Sequence, residues 1–244
     1  RMAHYLSASA VSAKNLAEEK DAIKTLIGDI SHQTKTPIAN LLLYAQLLEE
    51  QDLPPESREY ASALEHQAEK LRFLIDALVK TSRLESGVLA MTPKRHGIQQ
   101  LLDAASAQAA PGAEAKAITL TVEPTDLTAR FDPKWTAEAL YNLVDNAVKY
   151  TPAGGAVTLR AVGYELFCRV DVTDTGPGIP ESEQARIFQR FYRSPSASEA
   201  EGVGIGLYLA RQIAAGQGGY LKVSSRPGEG STFSLFLPRA EERT

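Results

Sequence analysis

Hydrophobic periodicity changes character once along this chain, and that change limits what it can fold into. From about residue 6 to 50, apolar side chains recur at helical spacing, with Ile23, Ile27, Ile30, Ile38, Leu41, Ala45 and Leu48 on one stripe. The run is too long for an ordinary surface helix. Beyond Pro54 and Pro55 a second stripe, Tyr60, Leu64, Gln67, Leu71, Leu74, Leu78 and Thr81, steps by four and three. That is the heptad period of helices that pack on other helices. Two such helices joined by a short break form an antiparallel hairpin, which cannot bury both stripes alone. Two hairpins paired into a four-helix bundle can, so a homodimer is expected.

Ser86-Gly87 and Pro93 end the periodicity. Short alternating or apolar runs follow at 118–122, 128–131, 156–162, 166–173, 220–224 and 232–237, separated by helical stretches at 99–108, 133–150, 181–188 and 206–215. The expected class is α+β: an N-terminal helical hairpin at 1–88, a linker at 89–96, and at 97–240 an α/β sandwich with helices on one sheet face. A hydrophobic share of 43% over 244 residues suffices for a core. The net charge of -4 offers no basic footprint for nucleic acid. Cys168, alone in the run YELFCRVDV, reads as a small buried hydrophobe, and a single cysteine excludes an intrachain disulfide or a cysteine zinc site. No apolar run approaches the roughly 18 residues of a membrane span, and no signal-peptide pattern is present.

In the second block polar residues gather where a ligand would sit. Asp132-Pro133 starts a helix and Thr151-Pro152 stops it. Between them Glu138, Asn142, Asn146, Lys149 and Tyr150 share one face, while Leu140, Leu143, Val144 and Ala147 populate the other. Asp174 leads from a strand into a turn containing Gly176 and Gly178. Gly202, Gly204 and Gly206 precede a helix-compatible run, so their amides can deliver an anion to a helix N-terminus.

Five strings, NLVDNAVKY at 142–150, DTGPG at 174–178, FQRFYR at 188–193, GVGIGL at 202–207 and GEGSTF at 228–233, occur in this order. Together they resemble the ATP-binding domain of sensor histidine kinases. His32, in SHQTKTP, resembles the phosphoacceptor box of that family. The resemblance covers nearly the whole chain. It implies a dimeric helical hairpin followed by a sandwich of the histidine-kinase, gyrase and Hsp90 (Bergerat) type, with ATP and Mg²⁺ as cofactors.

The same resemblance assigns Mg²⁺ to Asn146 with Asn142 nearby, phosphate to Lys149, the adenine ring to Tyr150 and the adenine amine to Asp174. It sets Gly176, Gly178, Gly202, Gly204, Gly206 and Leu207 around the nucleotide and its lid, with Arg193 reaching the γ-phosphate and Glu138 near the triphosphate. Phe188 and Phe191 are expected to anchor the lid through burial, and Thr232 to lie near the nucleotide wall. His32 is the expected phosphoacceptor, next to Gln33 where an acid is usual, and a bend is expected just past it because Pro37 cannot donate to the carbonyl of Gln33. Thr36, one turn on, is expected to assist dephosphorylation of the partner. His4, His66 and His96 read as surface or linker residues. The implied partners are a second copy of the chain and the receiver domain of a response regulator. The implied setting is the cytoplasmic portion of a protein with an upstream membrane segment and sensor.

An ATPase of the gyrase, Hsp90 and MutL kind is disfavoured because Asn142 stands where those enzymes place a glutamate. A noncatalytic scaffold is disfavoured by Asn146, Asp174 and the lid glycines.

Overall fold

The computed structural model describes residues 25–26, 28–30, 33–85, 91–194 and 203–239. The chain divides into two compact units, Arg1–Leu89 and Ala90–Thr244.

In the first unit, helix α1 (33–49) turns at 50–54 into α2 (Pro55–Glu85). Proline suits the first position of α2, where the amide lacks an intrahelical partner in any case. Glu56 in the first turn and Arg83 in the last complement the helix dipole. Lys35 Nζ lies 3.0 Å from Asp76 Oδ1, and Gln46 Nε2 donates to Glu65 Oε1 at 3.2 Å. Eleven residues forward on α1 thus match eleven back on α2, the signature of an antiparallel pair. Ile38, Leu42 and Ala68 are buried together, with Ile75 packed on them. Ala61, Ala68 and Ile75 repeat every seven residues, and small side chains at two of these positions let the helices approach closely.

The heptad stripe read from the sequence is not the seam of this hairpin. Tyr60, Leu64, Leu71 and Leu78 remain 63%, 58%, 42% and 46% exposed, although Thr81 at the end of the stripe is buried. The α1 stripe divides likewise: Ile38 and Ala45 turn inward, while Ile30, Leu41 and Leu48 stay exposed. Ile23, Ile27 and the bend expected past His32 lie outside the described residues.

The second unit runs β1 (Lys94–Gly97), α3 (Ile98–Ala115), β2 (Thr119–Val122), β3 (Thr128–Phe131), α4 (Pro133–Tyr150), β4 (Ala156–Gly163), β5 (Phe167–Asp174), α5 (Glu181–Gln184), a 3₁₀ turn (Arg186–Phe188), α6 (Gly206–Gly216), β6 (Tyr220–Arg226) and β7 (Gly230–Pro238). Five strands form one sheet in the order β2-β4-β5-β7-β6, with only β2 and β4 parallel. The helices α3, α4 and α6 pack on it and on each other. Leu140, Leu143 and Val144 of α4 and Ala210 and Ile213 of α6 are fully buried with Val157, Leu159, Val170, Val172 and Leu235 of the sheet. The alternate residues of the strands, among them Thr158, Thr173 and Thr232, occupy the other face. At its far end Phe167, Tyr220 and Phe236 form a ring cluster. Cys168 is buried, and burial pushes its thiol up to about 11 against the small opposing pull of Arg239.

Two stretches differ from their expected assignment. Residues 94–96, read as linker, belong to β1, which pairs antiparallel with β3; His96 there packs on Phe131 with ring centroids 5.3 Å apart. A four-residue strand whose partner lies over thirty residues on leaves no periodic trace. Helix α3 continues past 108 and through Pro111, because Ala105, Ala109 and Ala113 carry its buried stripe in place of larger side chains.

Candidate active site

The face of α4 is set by its two ends. Asp132 Oδ1 accepts from Lys134 N at 3.1 Å and Trp135 N at 3.2 Å, capping the start, and Asp132 Oδ2 accepts from Thr92 N at 3.0 Å. Burial alone would raise this carboxyl, but these donors outweigh it and hold it below the usual range. At the far end Thr151 returns both its amide and its hydroxyl to the carbonyl of Ala147.

Along the intervening face Asn142 Nδ2 donates to the carbonyl of Glu138 at 2.8 Å, leaving Oδ1 turned toward α6. A Cβ at Gly206 would lie 2.8 Å from that oxygen, so the start of α6 rests directly on Asn142. Asn146, one turn on, is half-buried, and among the described residues its amide has no hydrogen bond. The Lys149 ammonium stands 5.3 Å from the centre of the Tyr150 ring. Burial raises the Tyr150 phenol, the nearby Arg193 guanidinium opposes the rise, and Asp145 adds to it. Arg193 and Lys149 therefore converge on one end of α4.

Asp145 belongs to this group and was not singled out by the sequence reading. Its surroundings raise its carboxyl, mainly through burial on its inner side, against Lys149 and a hydrogen bond from Tyr141. Its position four residues before Lys149 on a helix was the available signal.

Asp174 is buried at the end of β5. Its Oδ1 accepts from Gly176 N at 2.8 Å and Ser231 N at 3.2 Å, and among the described residues its second oxygen has no hydrogen bond. Burial raises the carboxyl more than the two amides lower it. The wall beside it is built at van der Waals contact: a Cβ on Gly176 would lie 2.7 Å from Asp174 Oδ1 and 3.2 Å from the Tyr150 carbonyl. The backbone of Arg226 lies against Gly178 in the same way.

At the base of the expected lid, Phe191 N donates to Gly204 O at 2.9 Å. Gly204 has φ +75° and no room for a side chain beside Tyr192 O. Helix α6 begins there with no side-chain cap, so the first-turn amides of Gly206 and Leu207 have no intrahelical acceptor.

Two expectations are corrected. Phe188 is buried, but Phe191 is 54% exposed at φ 59°, so burial anchors this segment at Ile187 and Phe188 and the Gly204 hydrogen bond holds the chain at 191. Thr232 faces away from the helix layer, its hydroxyl 3.0 Å from that of Thr173, because successive strand residues alternate. Ser231 is the residue of β7 that reaches Asp174. Gln33 and Thr36 are exposed on α1, while His32 and Gly202 lie outside the described residues.

Residues 22–87 match the His Kinase A (phospho-acceptor) domain, and residues 131–241 match the family of histidine kinase-, DNA gyrase B- and HSP90-like ATPases. The chain is 34% identical over 239 residues to the sensor protein DivL of Caulobacter vibrioides, covering 97% of this chain and 31% of that protein. It is 30% identical over 226 residues to the sensor-like histidine kinase SenX3 of Mycobacterium tuberculosis, covering 91% of this chain and 55% of that protein. This chain thus spans about a third to about half of the length of these relatives. Among solved structures, full-length ShkA in complex with AMPPNP superposes with a TM-score of 0.75 at 29% identity, over 90% of this chain and 47% of that one. The mycobacterial sensor histidine kinase MprB superposes with a TM-score of 0.53 at 26% identity, over 62% and 99%. With a phosphoacceptor hairpin matched in one unit and a histidine-kinase-type ATPase domain in the other, the chain belongs to the sensor histidine kinases.

Proposed function

We propose that this chain is the catalytic core of a two-component sensor kinase, which transfers the γ-phosphoryl group of ATP to His32 and from there to an aspartate of a response regulator. The observation that carries the nucleotide reading is Asp174: a buried carboxylate with one oxygen held by two amides and the other left as an acceptor beside a glycine wall. Such an acceptor selects the exocyclic amine of adenine over the carbonyl of guanine.

Lys149 and Arg193 supply positive charge to the phosphates, and the open amides of Gly206 and Leu207 point a helix dipole at them. Tyr150 lies along the adenine. Asn146 fits Mg²⁺, since its half-buried amide has no hydrogen bond among the described residues and its oxygen is a hard, neutral ligand. Bound at Asn146, a cation would supply charge that offsets the phosphates. Neutral imidazole at His32 attacks Pγ as the bond to the β-phosphate oxygen breaks. ADP leaves, and the proton on the other ring nitrogen passes to solvent, because Gln33 cannot accept it. Asn142, which donates to the Glu138 carbonyl and abuts Gly206, cannot serve as the water-activating base of a gyrase-type ATPase.

The exposed stripe of Tyr60, Leu64, Leu71 and Leu78 supports a dimer paired through these helices. We assign to Thr36, exposed on α1, the orienting of the water that dephosphorylates the regulator. This chain spans about a third to about half of the relatives it matches, and we place a sensor and a membrane segment outside it; no described helix is long and apolar enough to cross a membrane.

Incubation with γ-labelled ATP and Mg²⁺ tests the central reading. Acid-labile, base-stable label on the protein, lost in His32→Gln, is expected; free phosphate with no protein label would instead establish an ATPase. Thr36→Ala should still autophosphorylate yet dephosphorylate the regulator more slowly, and an unchanged rate refutes that assignment.

A further inference from the structure

The C-terminal turn of α4 bears both Lys149 and Tyr150, and the carbonyls of such a turn have no partners within the helix. Here each finds something. The Ala147 carbonyl takes the amide and hydroxyl of Thr151. The carbonyls of Val148 and Lys149 are both bonded by a single group from another element, the Lys116 ammonium, at 2.9 and 2.8 Å. The Tyr150 carbonyl packs against Gly176 beside Asp174.

Lys116 is itself held on three sides. It closes α3, with its own amide and that of Ala117 returned to the carbonyls of Ala113 and Glu114, and that of Ile118 returned to Ala113. This closure turns Ala117 into the left-handed region at φ 52°, where glycine is the ordinary occupant. The Lys116 carbonyl then accepts from Gly154 N at 3.0 Å, fastening the loop that follows α4. Among the described residues Lys116 has no acidic partner. Its half-buried charge is directed to the negative end of a helix whose next side chains face the nucleotide.

We propose that Lys116 is a positioning residue for the nucleotide site: by bonding the Val148 and Lys149 carbonyls it keeps the last turn of α4 wound, and so holds the Lys149 ammonium and Tyr150 ring where ATP meets them. This rests on the nucleotide reading above. It adds a residue that touches no ligand and lies outside all five motif strings. Without it, two carbonyls in a half-buried setting lose their donor, the turn frays toward water, and Lys149 and Tyr150 lose their common direction. Asn146, a turn earlier, keeps its place.

The test is calorimetric titration of the full chain with AMPPNP and Mg²⁺, paired with melting temperatures. Lys116→Met is expected to weaken binding about tenfold through loss of two charge-assisted hydrogen bonds. Lys116→Arg, whose planar fork can bond both carbonyls, should return affinity to within about twofold of wild type. Ala117→Gly relieves the left-handed alanine and so offsets lost stability; the Lys116→Met change is measured in that background too, which also serves if the single variant does not fold. A double variant that melts like wild type but still binds weakly supports positioning. Affinity that recovers together with melting temperature overturns it, as does Lys116→Met binding as tightly as wild type. Wild-type protein that binds no AMPPNP overturns the nucleotide reading and this inference with it.

Discussion

The two units of this chain meet water differently. In the α/β unit the inward-facing apolar side chains of α4, α6 and the central strands are buried, and exposed ones such as Tyr164 and Leu166 are scattered at loop positions. In the hairpin most of a heptad stripe, Tyr60, Leu64, Leu71 and Leu78, lies exposed, while Ile38, Leu42 and Ala68 form the seam with Ile75. The α/β unit contains its own core; the hairpin holds only part of one. In the proposed dimer that open stripe is what a second copy would cover.

The largest expected effect breaks this contrast at the hairpin. Leu64→Glu with Leu71→Glu should abolish the proposed dimer and unfold much of the helix pair, since losing the half-exposed surface of four leucines from a paired interface forfeits about 3–6 kcal/mol. Sedimentation and helical ellipticity would read this, while the α/β unit keeps its own thermal transition. An unchanged dimer would mean the stripe is not the interface.

Next comes Asp174→Asn, which presents an amide donor to the adenine amine and should weaken ATP binding about a hundredfold. The same substitution should raise the melting temperature of the nucleotide-free protein at neutral pH. The sign follows from the raised carboxyl: the folded state binds the proton more tightly than the unfolded one, whose value is near 3.8, so ionisation costs stability as pH rises through the folded value. The gap between wild type and variant should shrink as pH falls toward 3.8. A gap independent of pH would break the assignment.

Gly204→Ala sharpens the picture at the lid base. A Cβ there meets Tyr192 O at 2.5 Å on a left-handed backbone, and the expected loss is about 1–3 kcal/mol in local stability. A lower melting temperature of the α/β unit, with the hairpin unaffected, would show it. Smallest is Ala117→Gly, expected to stabilise the α/β unit by about 1 kcal/mol, read as a higher second melting transition.

Much of this was legible beforehand because it rests on local rules. The heptad steps from Tyr60 to Leu78 announced a helix with an apolar stripe, the Asp132-Pro133 and Thr151 signals bounded α4 to the residue, and the i, i+4 spacing put Asn142 and Asn146 on one face. Three things escaped for a common reason. Strand β1 exists only because β3 is there to pair with it. Ser231, not Thr232, reaches Asp174 because the register of β7 against β5 decides which neighbour faces the helices. Phe191 is exposed on a backbone at positive φ whose amide is tied to the Gly204 carbonyl, against what its apolar side chain would favour.

By itself the sequence determined the two-part plan, the helix that carries the polar face and the residue types gathered for a nucleotide. Periodicity, caps and glycine turns act over a few residues and survive without tertiary context. The tertiary structure alone decided which side of each heptad is seam and which is surface, and which carboxylate oxygen is left as an acceptor. It also brought Lys116, over thirty residues upstream, to the end of α4. Such pairings form between segments that meet only when the chain has folded.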